Sequence, residues 1–543
     1  MITKSKRIIR KLISITLVIS TMLSLAACKK DEDDEKDEEG GYAAMADPVN
    51  DNYRTFYQIF VGSFSDATRD GIGDLQGIID RFDYLNDGNL NSDTSLGVQG
   101  IWLSPIFSSP SYHKYDVKDY YQIDWRFGTE ETLKSLIDLC HERNVKIILD
   151  LVINHTSNQH PWFLAFKEAR MNCDEENKYY DYYTAVTTEE KVGGRTYQKI
   201  AGVDCWYECN FSGDMPELNF DNPEVKEEML KVAKYYLDLG VDGFRFDAVK
   251  YIYYGDTVNT VKFWEWYMSE LKKIKSDIYC VGECWSGETE ILSYYTAMNC
   301  FNFAMSQAEG YAATAAKGKS IVNFTHYVES YQQKVRTANP EGMEMSFLSN
   351  HDMDRIAGAF VVDTYSRMAA NLYLLSPGSP FIYYGEEIGI RGSRGGANTD
   401  ANRRLAMLWG DDDLVKDPVG TTYSKDKQIT TTVADQMADE NSLYRYYCKL
   451  LSIRHRYPAI ARGTYTALDS SDKNLGGFLV EYNGEKIGII HNNSSEEISY
   501  DLSQCTDLSG HMFTEILEAI GSGSAKLEGT VLTVGAYTST IVK

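Results

Sequence analysis

The sequence predicts an α/β chain: a (β/α)8 or TIM barrel, a small domain inserted after its third strand, and a C-terminal antiparallel β-sandwich. Three observations carry this. From about residue 53, short β-branched or aromatic runs alternate with longer amphipathic stretches. No Gly-rich phosphate loop follows an early run, as a doubly wound nucleotide-binding sheet would require. Beyond residue 460 the pattern changes to two-residue alternation broken by turn residues, the mark of antiparallel hairpins.

The strand candidates, in order, are "TFYQIFV" (55–61), "VQGIWLSPI" (98–106), "VKIILDLVI" (145–153), "VDGFRFDAV" (241–249), "IYCVGEC" (278–284), "CFNFAM" (300–305), "EMSFLSN" (344–350) and "SPFIYYG" (379–385). Each is short and largely apolar, as strands covered on both faces must be. Between them lie helical stretches such as 129–144, with Thr129 as N-cap and two Glu in the first turn, and 222–240, with Pro at N1 and a terminal Gly. Residues 156–217 interrupt the third strand–helix unit with a polar, aromatic insertion too long for a structureless loop. The barrel therefore spans 52–155 and 218–460, its last helix covering 436–460, and residues 461–543 form the sandwich.

The N-terminus has a basic start (Lys4, Lys6, Arg7, Arg10, Lys11) and the apolar stretch "LISITLVISTMLSLAA". It ends in "LAAC", which resembles a bacterial lipoprotein lipobox. That resemblance implies a signal peptide over 1–27, lipidation of Cys28, and a chain anchored at the extracellular face of the membrane. The charged run "KKDEDDEKDEEGG" then reads as a solvated tether over 28–51. Residues 1–41 hold 8 basic and 8 acidic residues, so the net charge of −25 belongs to the remainder. That balance excludes a nucleic-acid partner, which needs a basic footprint. An acidic chain with 39 Tyr and 8 Trp suits a neutral ring-shaped ligand instead. Nine cysteines follow Cys28 with no CxxC pair, which argues against a zinc site. Cys205 and Cys209 are the pair nominated for a disulfide.

In "GVDGFRFDAVK" (240–250), Arg245 and Asp247 sit two apart and so share a strand face. A charged pair in an apolar run is costly unless it is paired or needed. The active site of such a barrel lies at the C-terminal strand ends. Those ends carry Asp150, Asn154, His155, Arg245, Asp247, Glu283, Asn350, His351 and Asp352. Three carboxylates from three strands, Asp247, Glu283 and Asp352, converge on one rim.

"DLVINH" (150–155), "GFRFDAVK" (243–250), "GECW" (282–285) and "FLSNHD" (347–352) resemble the four main conserved regions of the α-amylase family of glycoside hydrolases. "MPELN" (215–219), "GIWLSPI" and "PFIYYGEEIG" resemble further motifs of that family, and the likeness runs from about residue 52 to 543. It implies Asp247 as nucleophile, Arg245 as the cation that keeps it ionised, Glu283 as general acid/base, and Asp352 as the third carboxylate. It implies Tyr115 as aromatic platform with Asp116 as its companion acid, and His155 and His351 as sugar ligands. Lys250 resembles a lysine further along the cleft. The family usually has Gly where this chain has Lys114, a departure expected to narrow the non-reducing side. Ala248 and Lys250 lean toward α-1,4-glucan as substrate, and Trp206, Tyr207 and Trp285 are candidates for stacking on sugars. No organic cofactor is implied, and the chain reads as a monomer.

"DATRDGIGD" (66–74) places oxygens at Asp66, Thr68, Asp70, the Ile72 carbonyl and Asp74. That spacing around a central Gly suits Ca2+, and it resembles a metal loop of several family members. Thr68 and Arg69 depart from the usual pattern and weaken it. Alternatives to an α-glucan hydrolase are a transglycosylating or cyclodextrin- or pullulan-cleaving relative, and an inactive glucan-binding lipoprotein. The intact carboxylate set argues against the last.

Overall fold

The computed structural model describes residues 51–360, 362–508 and 510–543. Cys28, the signal segment and most of the tether lie outside the described residues. Seven parallel strands form one sheet, in the spatial order Asn299–Cys300, Tyr279–Gly282, Gly243–Phe246, Lys146–Leu151, Gly100–Leu103, Phe56–Ile59, Phe381–Tyr383. Six of these lie within their expected runs, and the seventh, Asn299–Cys300, meets the run 300–305 only at Cys300 because the pairing starts one residue earlier, with Asn299 opposite Val281. The remaining run, 344–350, carries only two isolated parallel bridges, Phe301 with Met345 and Phe347 with Phe381. They link the two outer strands of the sheet and so close the ring. Nearly every position of the central strands is buried, which explains their unbroken apolar character. Gly243 is required by close approach: a Cβ there would lie 1.7 Å from the Tyr279 carbonyl oxygen.

The flanking helices follow their capping signals. Thr129 and Thr132 form a reciprocal capping box on Glu130–Glu142. Pro223–Leu239 is capped by Asn222 and ends at Gly240, whose φ of +110° is left-handed. The stretch expected as one helix over 436–460 is instead two, Val433–Ala438 and Leu443–Arg456, followed by the short turn Ala459–Arg462. Ser442 restarts the helix by capping the Arg445 N–H, and Pro458 ends it.

Within 156–217 the chain forms the helix Pro161–Asn172 and a three-stranded antiparallel sheet of Ala185–Val186, Trp206–Glu208 and Tyr197–Lys199. The Cys205–Cys209 disulfide is not formed; both thiols are free. They flank the strand Trp206–Glu208, and four extended residues span roughly 13 Å, about twice the reach of a disulfide. Beyond residue 463 a five-stranded and a three-stranded antiparallel sheet enclose a core that includes Leu475, Leu479, Leu532, Val534 and Val542. No described helix is long and apolar enough to cross a membrane.

Candidate active site

Strand register assembles the rim. Asp150 lies opposite Arg245 in the parallel ladder, and Arg245 opposite Val281, two residues before Glu283. Arg245 is fully buried. Its Nη1 donates to Asp150 Oδ1 at 2.8 Å and to Asp247 Oδ1 at 2.7 Å, and its Nη2 lies 3.5 Å from Glu283 Oε1. One guanidinium thus faces three carboxylates from three strands. A buried cation is tolerated only when paired in this way.

The acids differ in character. Burial pushes Glu283 up, Arg245 opposes it, and Asp247 and Asp352 add to the rise, which reaches about 8. Its Oε2 accepts from the Ala248 backbone N–H at 2.9 Å. Ala248 itself sits at φ +51°, a left-handed conformation that costs a residue with a Cβ about 1–2 kcal/mol. Asp150 is also raised by burial, to about 7, against the pull of Arg245. Asp352 goes the other way. Burial would raise it, but His351, Arg404 and Arg245 outweigh burial and hold it well below the usual carboxylate range. Arg404 Nη2 is 2.7 Å from Asp352 Oδ1, and His351 Nε2 is 3.0 Å from Oδ2. Burial lowers the basicity of His351. Its contribution to Asp352 is therefore a hydrogen bond, and Arg404 supplies the charge.

The tautomer of His351 follows from its partners. Gln58 Nε2 donates to His351 Nδ1 at 2.6 Å, so the ring proton sits on Nε2. That N–H is shared between Asp352 and the Tyr115 oxygen, while the Tyr115 hydroxyl donates to Asp150 Oδ2 at 2.8 Å. The Tyr115 and His351 rings are parallel within 3° at 5.3 Å.

The structure therefore brings Asp247, Glu283, Asp352, Arg245, Tyr115 and His351 into one network. His155 lies beside it: burial pushes its imidazole down, opposed by Asp247 and Asp116. Asp116 accepts from the hydroxyls of Ser109 and Ser111 in its own loop. Lys250 donates to the Trp285 carbonyl at 2.7 Å, tying two rim segments together. Lys114 does not narrow a cleft. Its φ of +68° explains why Gly is easily borne there, and its buried ammonium pairs with Asp124 at 2.6 Å and with the Ser111 carbonyl. Of the three stacking candidates, Trp285 presents an open face, 43 % exposed, with Phe303 stacked behind it. Tyr207 is buried, and Lys191 covers the face of Trp206.

Sequence reasoning missed Arg404, Tyr112, Gln58 and Phe211. Arg404 donates to the His351 carbonyl and the Tyr112 hydroxyl as well as to Asp352. Phe211 packs its ring 5.2 Å from that of His155.

The 66–74 loop closes on its own backbone. Asp66 accepts from the N–H groups of Arg69, Asp70 and Gly71, and Asp70 accepts from Ile72. Asp74 caps the helix Leu75–Asp80 through the Gly77 N–H and also accepts from Ala67 and Thr68. Among the described residues no three His, Cys, Asp or Glu side chains are arranged to hold a metal ion. The oxygens have the right chemistry for Ca2+, but they do not form a ready cage.

A closed ring of parallel strands with a raised Glu, a lowered Asp and an Arg-bound Asp at its C-terminal edge defines a barrel enzyme built for acid–base and nucleophilic work. Residues 58–463 match the family described as "Alpha amylase, catalytic domain". The chain belongs to the α-amylase family of glycoside hydrolases. It is 37% identical over 496 residues to "Alpha-amylase 3" of Dictyoglomus thermophilum, covering 90% of this chain and 92% of that one. It is 30% identical to a 4-alpha-glucanotransferase of Thermotoga maritima, covering 82% and 97%. Among solved structures it resembles "Eubacterium rectale Amy13B", with a TM-score of 0.83 and 35% identity over 91% of this chain and 96% of that one.

Proposed function

We propose that the protein is an extracellular, membrane-anchored α-amylase-type hydrolase that cleaves α-1,4-glucosidic bonds of starch and maltooligosaccharides with retention. The observation that carries this reading is the contrast between two carboxylates on one guanidinium: Glu283, held protonated, and Asp247, bound directly by Arg245 Nη1. Asp247 attacks C1 while Glu283 gives its proton to the leaving glycosidic oxygen, forming a covalent glycosyl-enzyme. Glu283, now ionised, takes a proton from water as the water displaces Asp247. Sharing one guanidinium keeps the two groups close, and this route needs carboxyl groups about 5 Å apart.

Asp352, kept ionised by Arg404, receives sugar hydroxyls beside the reacting carbon, and Tyr115 offers the ring beneath them. His155 and Asp116 flank that sugar. Lys250 and Trp285 serve the leaving-group side. The small Ala248 supports α-1,4 specificity. Residues 156–217 act as an inserted domain over the rim. Any Ca2+ taken up at the 66–74 loop would have a structural role only, with Asp66, Thr68, Asp70, Asp74 and the Ile72 carbonyl as its oxygens once they give up their backbone partners. No organic cofactor takes part, and the working form is a monomer.

Product chromatography on maltoheptaose, cyclodextrin and pullulan tests the specificity. Linear maltooligosaccharide products from maltoheptaose support it. Exclusive pullulan or cyclodextrin cleavage, or products longer than the substrate, would replace it with a relative of that type. For the anchor, Cys28→Ser should abolish lipid labelling, and unchanged labelling would refute a lipidated Cys28.

A further inference from the structure

Away from the rim, a groove of about 330 Å3 lies between the strand Asp119–Ile123, the start of the helix Glu130–Glu142 and the end of the helix Pro223–Leu239. Tyr121, Gln122, Trp125, Thr129, Glu130 and Tyr235 line it. Trp125 is 79 % exposed, more than any other aromatic side chain among the described residues, and Tyr121 is 44 % exposed. Tyr121 stands edge-on to Tyr235, with ring centres 5.3 Å apart at 81°, and the Tyr235 hydroxyl is anchored on Glu130. A single exposed aromatic is ordinary on a protein surface. An indole and a phenol opening into one groove, with a third ring fixed beside them, form a built surface.

We propose that this groove is a second, non-catalytic binding site for an α-glucan chain. The proposal rests on the α-glucan reading of the substrate. Its chemistry is that of a pyranose: aromatic faces for the apolar face of the ring, and the Gln122 amide and Glu130 carboxylate for the hydroxyls. Glu130 in its lining and Asp119, which accepts from the Tyr121 N–H, on a chain of net charge −25, disfavour an anionic partner such as an acidic lipid surface. The groove is also fastened to the active site's own loop. Trp125 stands between Asp124 and Arg126, which pair with each other at 3.0 Å, and Asp124 holds Lys114, the neighbour of Tyr115. One segment therefore presents Tyr115 to the rim and Trp125 to the groove.

The test compares Trp125→Ala and Trp125→Phe for adsorption to insoluble starch granules and for kcat/KM on maltoheptaose. Adsorption of Trp125→Ala should weaken roughly fivefold or more, and Trp125→Phe should retain most of it. Both should keep kcat/KM on maltoheptaose within about twofold, as expected for a surface change remote from the chemistry. Undiminished granule adsorption by Trp125→Ala would overturn the site. So would an equal loss on maltoheptaose, which would mark Trp125 as structural, or Trp125-dependent binding to phosphatidylglycerol vesicles with granule adsorption unchanged. If the wild type cleaves no α-1,4 substrate while granule adsorption still depends on Trp125, the catalytic reading fails and the groove stands.

Discussion

Arg404 reaches Asp352 at 2.7 Å from a loop about twenty residues past the last barrel strand. With its two other nitrogens it holds the His351 carbonyl and the Tyr112 hydroxyl, so one side chain fixes both the charge and the position of the third carboxylate. Arg404→Ala should cost about 3 kcal/mol of stability, the low end for breaking a buried pair because Asp352 is partly exposed. The acid side of the pH–activity profile should move upward, because Asp352 loses the cation that keeps it ionised. Arg404→Lys should recover stability better than activity, since an ammonium cannot reproduce the three-way fork. An unshifted acid limb in Arg404→Ala would show that Asp352 does not depend on it.

Asp247→Asn should lower kcat by at least ~10³-fold while oligosaccharide binding stays measurable. The change removes the proposed nucleophilic carboxylate with almost no change in volume. Retention of more than about a tenth of wild-type kcat would reject Asp247 as the nucleophile.

Glu283 must be protonated to act as an acid, so kcat/KM should fall as pH rises through about 8. The same shift has a stability consequence. Between the ordinary glutamate value and about 8 the folded state holds a proton that the unfolded state has released. Stability therefore declines with rising pH across that window. Glu283→Gln removes the effect, so its melting temperature should exceed that of the wild type at pH 8 and converge with it near pH 4. Parallel melting curves of the two proteins from pH 4 to 8 would contradict the assignment.

The 66–74 loop separates two effects. Asp66→Ala should destabilise by roughly 2–4 kcal/mol whether or not Ca2+ is present, because it strands the backbone donors of Arg69 and Gly71. If Ca2+ binds, a chelator should lower the melting temperature of the wild type, and Asp70→Ala should abolish that difference. A hundredfold excess over Kd corresponds to about 2.7 kcal/mol. Identical melting with and without chelator, in protein free of calcium by elemental analysis, would leave an acidic turn without metal.

The parts of the fold that could be read from the sequence are those where local chemistry and global placement agree. Parallel strands covered on both faces announce themselves as apolar runs, and polar groups at their ends stand out for that reason, so Arg245, Asp247, Glu283 and Asp352 were all visible. Arg404 and Phe211 were not, because they come from irregular segments whose residues carry no period. Lys114 was misjudged because its substitution for Gly reads as a size change, whereas the backbone conformation and the Asp124 partner decide where the side chain goes. The split of the last helix turned on Ser442, whose capping role a continuous amphipathic pattern conceals.

The ring that carries these groups is uneven. Most neighbouring strands are joined by ladders of three or more paired residues, but 345–347 is held by one bridge on each side. The barrel has a seam, and Asn350, His351 and Asp352 hang just past it. Amide protons along 345–349 should exchange with solvent sooner than those of Lys146–Leu151, and a sugar that grips Asp352 should act as the stitch that slows them.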